Sequence, residues 1–371
     1  MPVSYKIKDS SAGILFDRLK AYISGNHSLV REYHIRLGNL KTVRILTYYP
    51  GTAGILAREF GWSLIPPVAH PDATIRLWQE TGCRDFVSRV LGLDHDQVIE
   101  GESWTELIRC APDGELYPMG TIDSDGPWGV HMSLGNEYFY GLDGLEPGAW
   151  FKDGHFFVQA LFRILNRDDN HSLVHGACIG RNGSGVLMCA RGNGGKSTLS
   201  VTSLLRGFEF VSDDYLILEK DREGLFASPI YSFITLSPQM YDRMYDDLDR
   251  ARFLGISSWK GKYVLDISGY GERFREHYPV NALLFPEITP DAAEPSVVPC
   301  SAQEKGRTLV QIAHSTTFQM WISGLKGEQR DADFIRKTLG MLTGLPCYRI
   351  VLSPDIEANA RCLAAFIDKT L

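Results

Sequence analysis

Eight consecutive residues, Ala190, Arg191, Gly192, Asn193, Gly194, Gly195, Lys196 and Ser197, have types and spacing suited to holding an anion. Three glycines let the backbone curl until successive N–H groups converge on one point, and a helix starting near Lys196 adds its positive end there. The run keeps the spacing of a Walker A phosphate loop, with Ala190 in place of the first glycine. In such a loop Arg191, Gly192, Asn193, Gly194, Gly195 and Thr198 line the phosphates and Lys196 contacts the β- and γ-phosphates. The hydroxyl of Ser197, or else of Thr198, reaches Mg²⁺. ATP and Mg²⁺ are the cofactors this pattern is built for.

Asp213 and Asp214 stand at the end of the next expected strand, which a wound sheet returns toward the loop. One carboxylate can hold the metal, directly or through water, while its neighbour accepts a proton from an attacking hydroxyl. Asp also favours the solvated turn that follows a strand. His175 lies in the apolar run SLVHGACIG, where a histidine taken alone reads as a core residue.

The elements that must position these residues read as strand, glycine loop, helix, strand. SLVHGACIG and GVLMCA form a hairpin about an Asn182 to Gly185 turn, whose Asn-Gly and Ser-Gly steps accept positive φ. A helix is expected over Lys196 to Leu205, then Gly207, then the strand FEFVS ending at Asp213 and Asp214. YLILEK is a further strand that turns at Asp221 to Gly224. From Asp331 the order is helix, strand (CYRIVL) and a helix over Asp355 to Asp368, packing on the same core. The apolar run Phe156 to Leu165 is a helix leading into this unit.

Upstream, the chain mixes β-rich runs such as VREYHIRL and TVRILTYYP with turn signals at Tyr49 to Gly51, Pro66 to Pro67 and Asp113 to Gly114. One helix is expected over Ile14 to Ser24. A second runs from a cap at Asp72 to Leu91, with Ile75, Leu77, Trp78, Phe86, Val87 and Val90 on its inner face. GPWGVHMSLGNEYFYGL reads as strands. A length of 371 residues fits two units, divided here as an α+β region over 1–150 and the loop-bearing α/β unit over 151–371.

Composition narrows the function classes. At 44% hydrophobic and 22% charged residues the chain falls among soluble globular proteins. A formal charge of −7 gives no overall attraction to nucleic acid, and no aromatic and basic RNA-binding motif opposes that reading. No apolar stretch has the length of a signal peptide core or a membrane span, so a soluble cytoplasmic chain is expected, with homo-oligomerisation left open. Seven cysteines, at 83, 110, 178, 189, 300, 347 and 362, are scattered without a CxxC pair, so neither a disulfide framework nor a zinc site is expected.

Taken together, LVHGACIG, GVLMCARGNGGKSTLS and LLRGFEFVSDDYLIL resemble the core of the HPr kinase/phosphorylase family in order and spacing. The resemblance covers about Leu173 to Lys220. It implies one site made by His175 with Gly176, Ala190 to Ser197, Arg206 with Gly207, and Asp213 with Asp214. It also implies a phosphoenolpyruvate carboxykinase-like P-loop core, rather than the all-parallel sheet of the Ras type, with an additional N-terminal α+β domain that could recognise substrate. Asp213 would be the base, Asp214 would support the metal, and His175 would lie near the transferred phosphate.

The family's bifunctional members carry a Leu-Glu-Ile-Arg-Gly signature that is absent here, where SPIYSFITLSP stands without an acid. That departure argues against the phosphorylase reaction. The long N-terminal region and the altered middle look more like the HPr kinase-related proteins of peptide natural products, including lasso peptide precursor kinases that phosphorylate a C-terminal serine. The implied activity is transfer of the γ-phosphate of ATP to a serine hydroxyl of a peptide or small protein. A kinase of a free small molecule such as L-serine, and a nucleotide-binding regulator that transfers nothing, are the alternatives. Lys260, Lys262 and Arg273 could cover the nucleotide or grip an acceptor, though such charges are usually just solvated. Tyr231, Phe233, Tyr241 and Tyr245 could floor a groove, with core packing the ordinary explanation.

Overall fold

The computed structural model describes residues 9–39, 41–79, 99–100, 105–106, 114–119, 128–143, 156–165, 169–190, 194–256, 261–310 and 328–371. The first part of the chain runs α1 (Asp9–Asn26), β1 (Arg31–Leu37), β2 (Lys41–Thr47), α2 (Pro50–Glu59), β3 (Leu64–Ile65) and β4 (Ala73–Gln79). A small ribbon of β5 (Ile99–Glu100) and β6 (Thr105–Glu106) precedes β7 (Gly114–Met119), β8 (Trp128–Leu134) and β9 (Glu137–Asp143). Seven of these strands make one sheet in the order β3-β1-β2-β4-β9-β8-β7.

Two expectations fail here. Instead of a helix over Asp72 to Leu91, the chain as far as Gln79 is the central strand β4, parallel to β2 on one side and to β9 on the other. Ile75, Leu77 and Trp78 are all but fully buried. Ala73, Ile75 and Leu77 alternate with Thr74 and Arg76, a strand period too short to outweigh the apolar spacing that runs on to Leu91. Phe86, Val87, Val90 and Leu91 lie outside the described residues. Tyr49 to Gly51 opens α2 rather than turning the chain, with Pro50 at the first helical position, where its missing N–H costs nothing. The helix expected over Ile14 to Ser24 lies within α1, and Pro66 and Pro67 lie in the loop after β3.

The second part carries α3 (Phe156–Leu165), β10 (His171–Arg181), β11 (Ser184–Met188), α4 (Lys196–Leu205), β12 (Glu209–Lys220) and β13 (Leu225–Pro229). Next come β14 (Phe233–Leu236), α5 (Pro238–Met244), β15 (Arg252–Ile256) and β16 (Tyr263–Asp266), whose strands form a three-stranded sheet. The chain closes with β17 (Tyr278–Pro279), β18 (Ala282–Ile288), β19 (Ser296–Pro299), a helix over 302–310, α6 (Glu328–Leu342), β20 (Cys347–Leu352) and α7 (Ile356–Thr370).

The main sheet of this part has eight strands in the order β17-β13-β12-β10-β11-β18-β20-β19. It is antiparallel from β17 to β11, parallel through β11, β18 and β20, and antiparallel again at β19. The architecture is thus mixed α/β with several sheets. Among the described residues, no helix is long and apolar enough to cross a membrane.

Three hydrophobic clusters place the layers. On one face of the eight-stranded sheet, Leu199, Val201 and Leu204 of α4 pack with Ala177, Ile179 and Phe210 and with Leu363 and Phe366 of α7. On the other, Val174, Cys178, Leu216 and Leu283 meet Met341 and Leu342 of α6. A third cluster joins Leu173, Tyr215 and Ile217 to Ile35, Ile45, Ile75 and Tyr140 of the seven-stranded sheet and to Leu161 and Leu165 of α3.

Candidate functional site

The site is built at the amino end of α4. Gly195 stands just before the helix at φ +89°, ψ −1°, and among the described residues no side chain caps the first turn. A Cβ at Gly195 would be strained at that φ and would sit 2.6 Å from Leu352 Cδ1, so the position needs glycine. The first N–H groups of an α-helix have no intrahelical acceptor, and with no capping side chain they are available to an anion.

Lys196 is only 7% exposed, and its Nζ donates to the Ala190 carbonyl at 2.8 Å, tying the two ends of the loop together. Burial pushes the Cys189 thiol up to about 12, while the nearby Lys196 charge pulls it the other way. Gly194, Ser197 and Thr198 are half-buried around the helix start. Arg191, Gly192 and Asn193 lie outside the described residues.

The hairpin that delivers the loop is tighter than its sequence indicates. Asn182 and Gly183, at φ 53° and 81°, make the whole turn, and Ser184 and Gly185 already belong to β11. Both central residues at positive φ match the twist of the flanking strands. Gly185 has its own requirement, since a Cβ there would meet the Pro279 carbonyl at 2.1 Å.

Asp213 and Asp214 do not end a strand. FEFVS and YLILEK are one twelve-residue strand, β12, which pairs with β10 along its length through one irregularity at Cys178/Ile179. Asp213 is opposite Ala177, Asp214 opposite Gly176 and Tyr215 opposite His175. Cross-strand partners share a face. Leu173, Ala177, Ile179 and Tyr215 belong to the clusters on the α4 side, so His175 and Asp213 lie on that side too. Ala177 in turn pairs with Met188, two residues before the loop, and two strand spacings separate β12 from β11. The backbone therefore sets Asp213 about 10 Å from Met188 and about 12 Å from the start of the loop.

Asp214 adopts φ 107°, a value L-residues rarely accept. Such strain, of order 1–3 kcal/mol, persists only where the surroundings enforce it, and it concentrates at functional sites. The Asp214 carboxylate meets His175 Nε2 at 2.7 Å, with the two side chains 23% and 10% exposed. Asp213 is more deeply placed at 3% exposure. Burial, and after it the Asp214 charge, raise the Tyr215 hydroxyl well above its ordinary range. Spacing in the sequence foretells neither the His175–Asp214 pair nor the Lys196 bond to Ala190.

The other candidates separate. Arg206 and Gly207 stand at the far end of α4, about 15 Å along a ten-residue helix from Gly195. Arg206 Nε donates to Glu357 of α7 there, so the structure does not bring it to the loop. Arg273 also serves that far end, donating to the carbonyls of Leu204 at 2.5 Å and Leu205 at 3.4 Å. Lys260 lies outside the described residues, and Lys262 stands one residue before β16. Tyr231 and Phe233 are core residues, 2% and 3% exposed, whereas Tyr241 and the exposed Tyr245 form a surface cluster with Phe253 and Tyr263.

A bound Mg-nucleotide fits these residues. The site has a lysine ammonium at the helix start, a loop end opened by glycine, hydroxyls in the first turn and two carboxylates on β12, two strands over. Among the described residues no group of three or more His, Cys, Asp and Glu is disposed to hold a metal. Mg²⁺ bound here would take most of its ligands from phosphate and water, as that ion commonly does.

No family model matches the chain, and no curated protein matches it. Among solved structures, the HPr(Ser) kinase/phosphatase from Coxiella burnetii is similar at 13% identity and a TM-score of 0.29, over 53% of this chain and 99% of that one. At that TM-score the likeness carries no structural argument.

Proposed function

We propose that this chain is a P-loop kinase that uses ATP and Mg²⁺ to phosphorylate a serine hydroxyl of a peptide or small protein, such as the C-terminal serine of a lasso peptide precursor. What supports the reading is a glycine-opened helix start on the same face of the sheet as His175 and Asp213, with His175 in contact with Asp214.

In this reading Lys196, the amides of residues 191–195 and Thr198 would hold the phosphates, and Ser197 and Asp214 would hold the metal. Mg²⁺ supplies charge neutralisation at the phosphates. His175, through its 2.7 Å contact, orients the Asp214 carboxylate. Asp213 takes the seryl proton as the serine oxygen bonds the γ-phosphorus and ADP leaves. Most of the rate enhancement is positioning and electrostatics. The region 1–150 is assigned to acceptor recognition, and a cytoplasmic setting suits the supply of ATP.

The test is incubation of the full chain with γ-labelled ATP, Mg²⁺ and serine-containing peptides, with free L-serine as a separate arm. Label in a peptide, lost in Asp213→Asn, supports the proposal. Label in free serine alone moves the acceptor to a small molecule. Tight ATP binding with no labelled acceptor leaves a regulator, and no nucleotide binding at all removes the reading.

A further inference from the structure

The seven cysteines look scattered in sequence, yet two of them meet across the edge of the eight-stranded sheet. Edge strand β19 pairs with β20 through Val298↔Arg349 and Pro299↔Tyr348. The next rung sets Cys300 against Cys347, with the Cys300 N–H donating to the Cys347 carbonyl at 2.9 Å. Residues opposed on such a hydrogen-bonded rung have Cα atoms about 5.5 Å apart, inside the span a disulfide bridges. As cross-strand partners, their side chains share one face of the sheet.

Both flanks are held in place. Ser301 and Glu304 cap the helix over 302–310 reciprocally, with Ser301 N–H donating to Glu304 at 2.8 Å and Glu304 N–H donating to Ser301 Oγ at 3.2 Å. Lys305 Nζ donates to the carbonyls of Thr343 at 2.7 Å and Leu345 at 2.5 Å, fixing the turn that leads into Cys347.

We propose that Cys300 and Cys347 are a reversible redox pair, a dithiol that peroxides convert to a cross-strand disulfide tying edge strand β19 to β20. Cys300 is half-buried and reachable, whereas Cys347 is 7% exposed. Burial raises both thiols, and the Glu304 charge adds to the rise at Cys300, so access to solvent rather than acidity sets which sulfur meets the oxidant. Cys300 therefore reacts first. Its thiolate attacks one peroxide oxygen, the O–O bond breaks, and the other oxygen leaves as water after taking a proton, giving a sulfenic acid. The Cys347 sulfur then attacks that sulfur, its proton leaving with the sulfenic oxygen as a second water. Two thiols are oxidised by two electrons and one hydrogen peroxide is reduced to two waters. Cys178 and Cys189 also interact, but each is buried on the sheet with its thiol raised, and no oxidant reaches them first.

The experiment treats the folded full chain with hydrogen peroxide. The expected result is a mass lower by two hydrogens, a cross-linked peptide holding Cys300 and Cys347, and a Tm that rises on oxidation and returns with reductant. Cys300→Ser, at a half-buried position that tolerates the change, abolishes the cross-link and the Tm shift. A sulfinic acid on Cys300 without a cross-link, a cross-link to another cysteine, or no reaction overturns the proposal. Nucleotide binding by the reduced protein is a separate readout, so this pair and the kinase reading fail independently.

Discussion

The two ends of α4 are built on opposite plans. At the amino end a left-handed Gly195 replaces a capping side chain, and the nearest cation, Lys196, turns back onto the loop carbonyl of Ala190. At the carboxyl end the backbone is closed by side chains, with Arg273 on the carbonyls of Leu204 and Leu205 and Arg206 paired to Glu357. An end whose polar groups are satisfied from within stabilises the fold. Under the proposed function, the amino end instead keeps its first N–H groups for a ligand.

That contrast can be broken by mutation. Lys196→Ala has the largest expected effect, a loss of phosphoryl transfer exceeding about 10³-fold with little change in Tm. A variant destabilised by several kcal/mol while retaining turnover would reverse the assignment of the two ends. Asp213→Asn comes next, lowering kcat about 10²- to 10⁴-fold while ATP affinity, read by calorimetry, stays at the parent value. Arg273→Ala acts at the other end and on the other property, lowering stability by about 1–2 kcal/mol in a denaturant titration with transfer intact. Arg206→Ala is the smallest, below about 1 kcal/mol, because the Arg206 side chain is 51% exposed and its ion pair with Glu357 is screened.

The same contrast marks what could be read from the chain. Local punctuation was legible. Asn182-Gly183 sets the hairpin, Gly207 at φ 90° ends α4, and Asp355 caps α7 by accepting from the N–H groups of Glu357 and Ala358. The helices over Phe156–Leu165 and Lys196–Leu205 fall where periodicity puts them. β4 was less legible, because its alternation covers only Ala73 to Leu77 before Trp78 breaks it. The continuity of β12 was not legible, since an Asp-Asp step reads as a turn until pairing with Ala177 and Gly176 keeps it in the strand despite φ 107° at Asp214.

Residue order alone determined the phosphate-loop pattern, its position between a strand and a helix, and the acids that follow, since glycine freedom and short-range spacing act within a few residues. Only the tertiary structure decided that Asp214 turns at φ 107° to meet His175, that Arg273 closes the far end of α4, and that Cys300 faces Cys347. Each of these joins residues far apart in the chain. Strand register and packing, which no local preference encodes, set their distance.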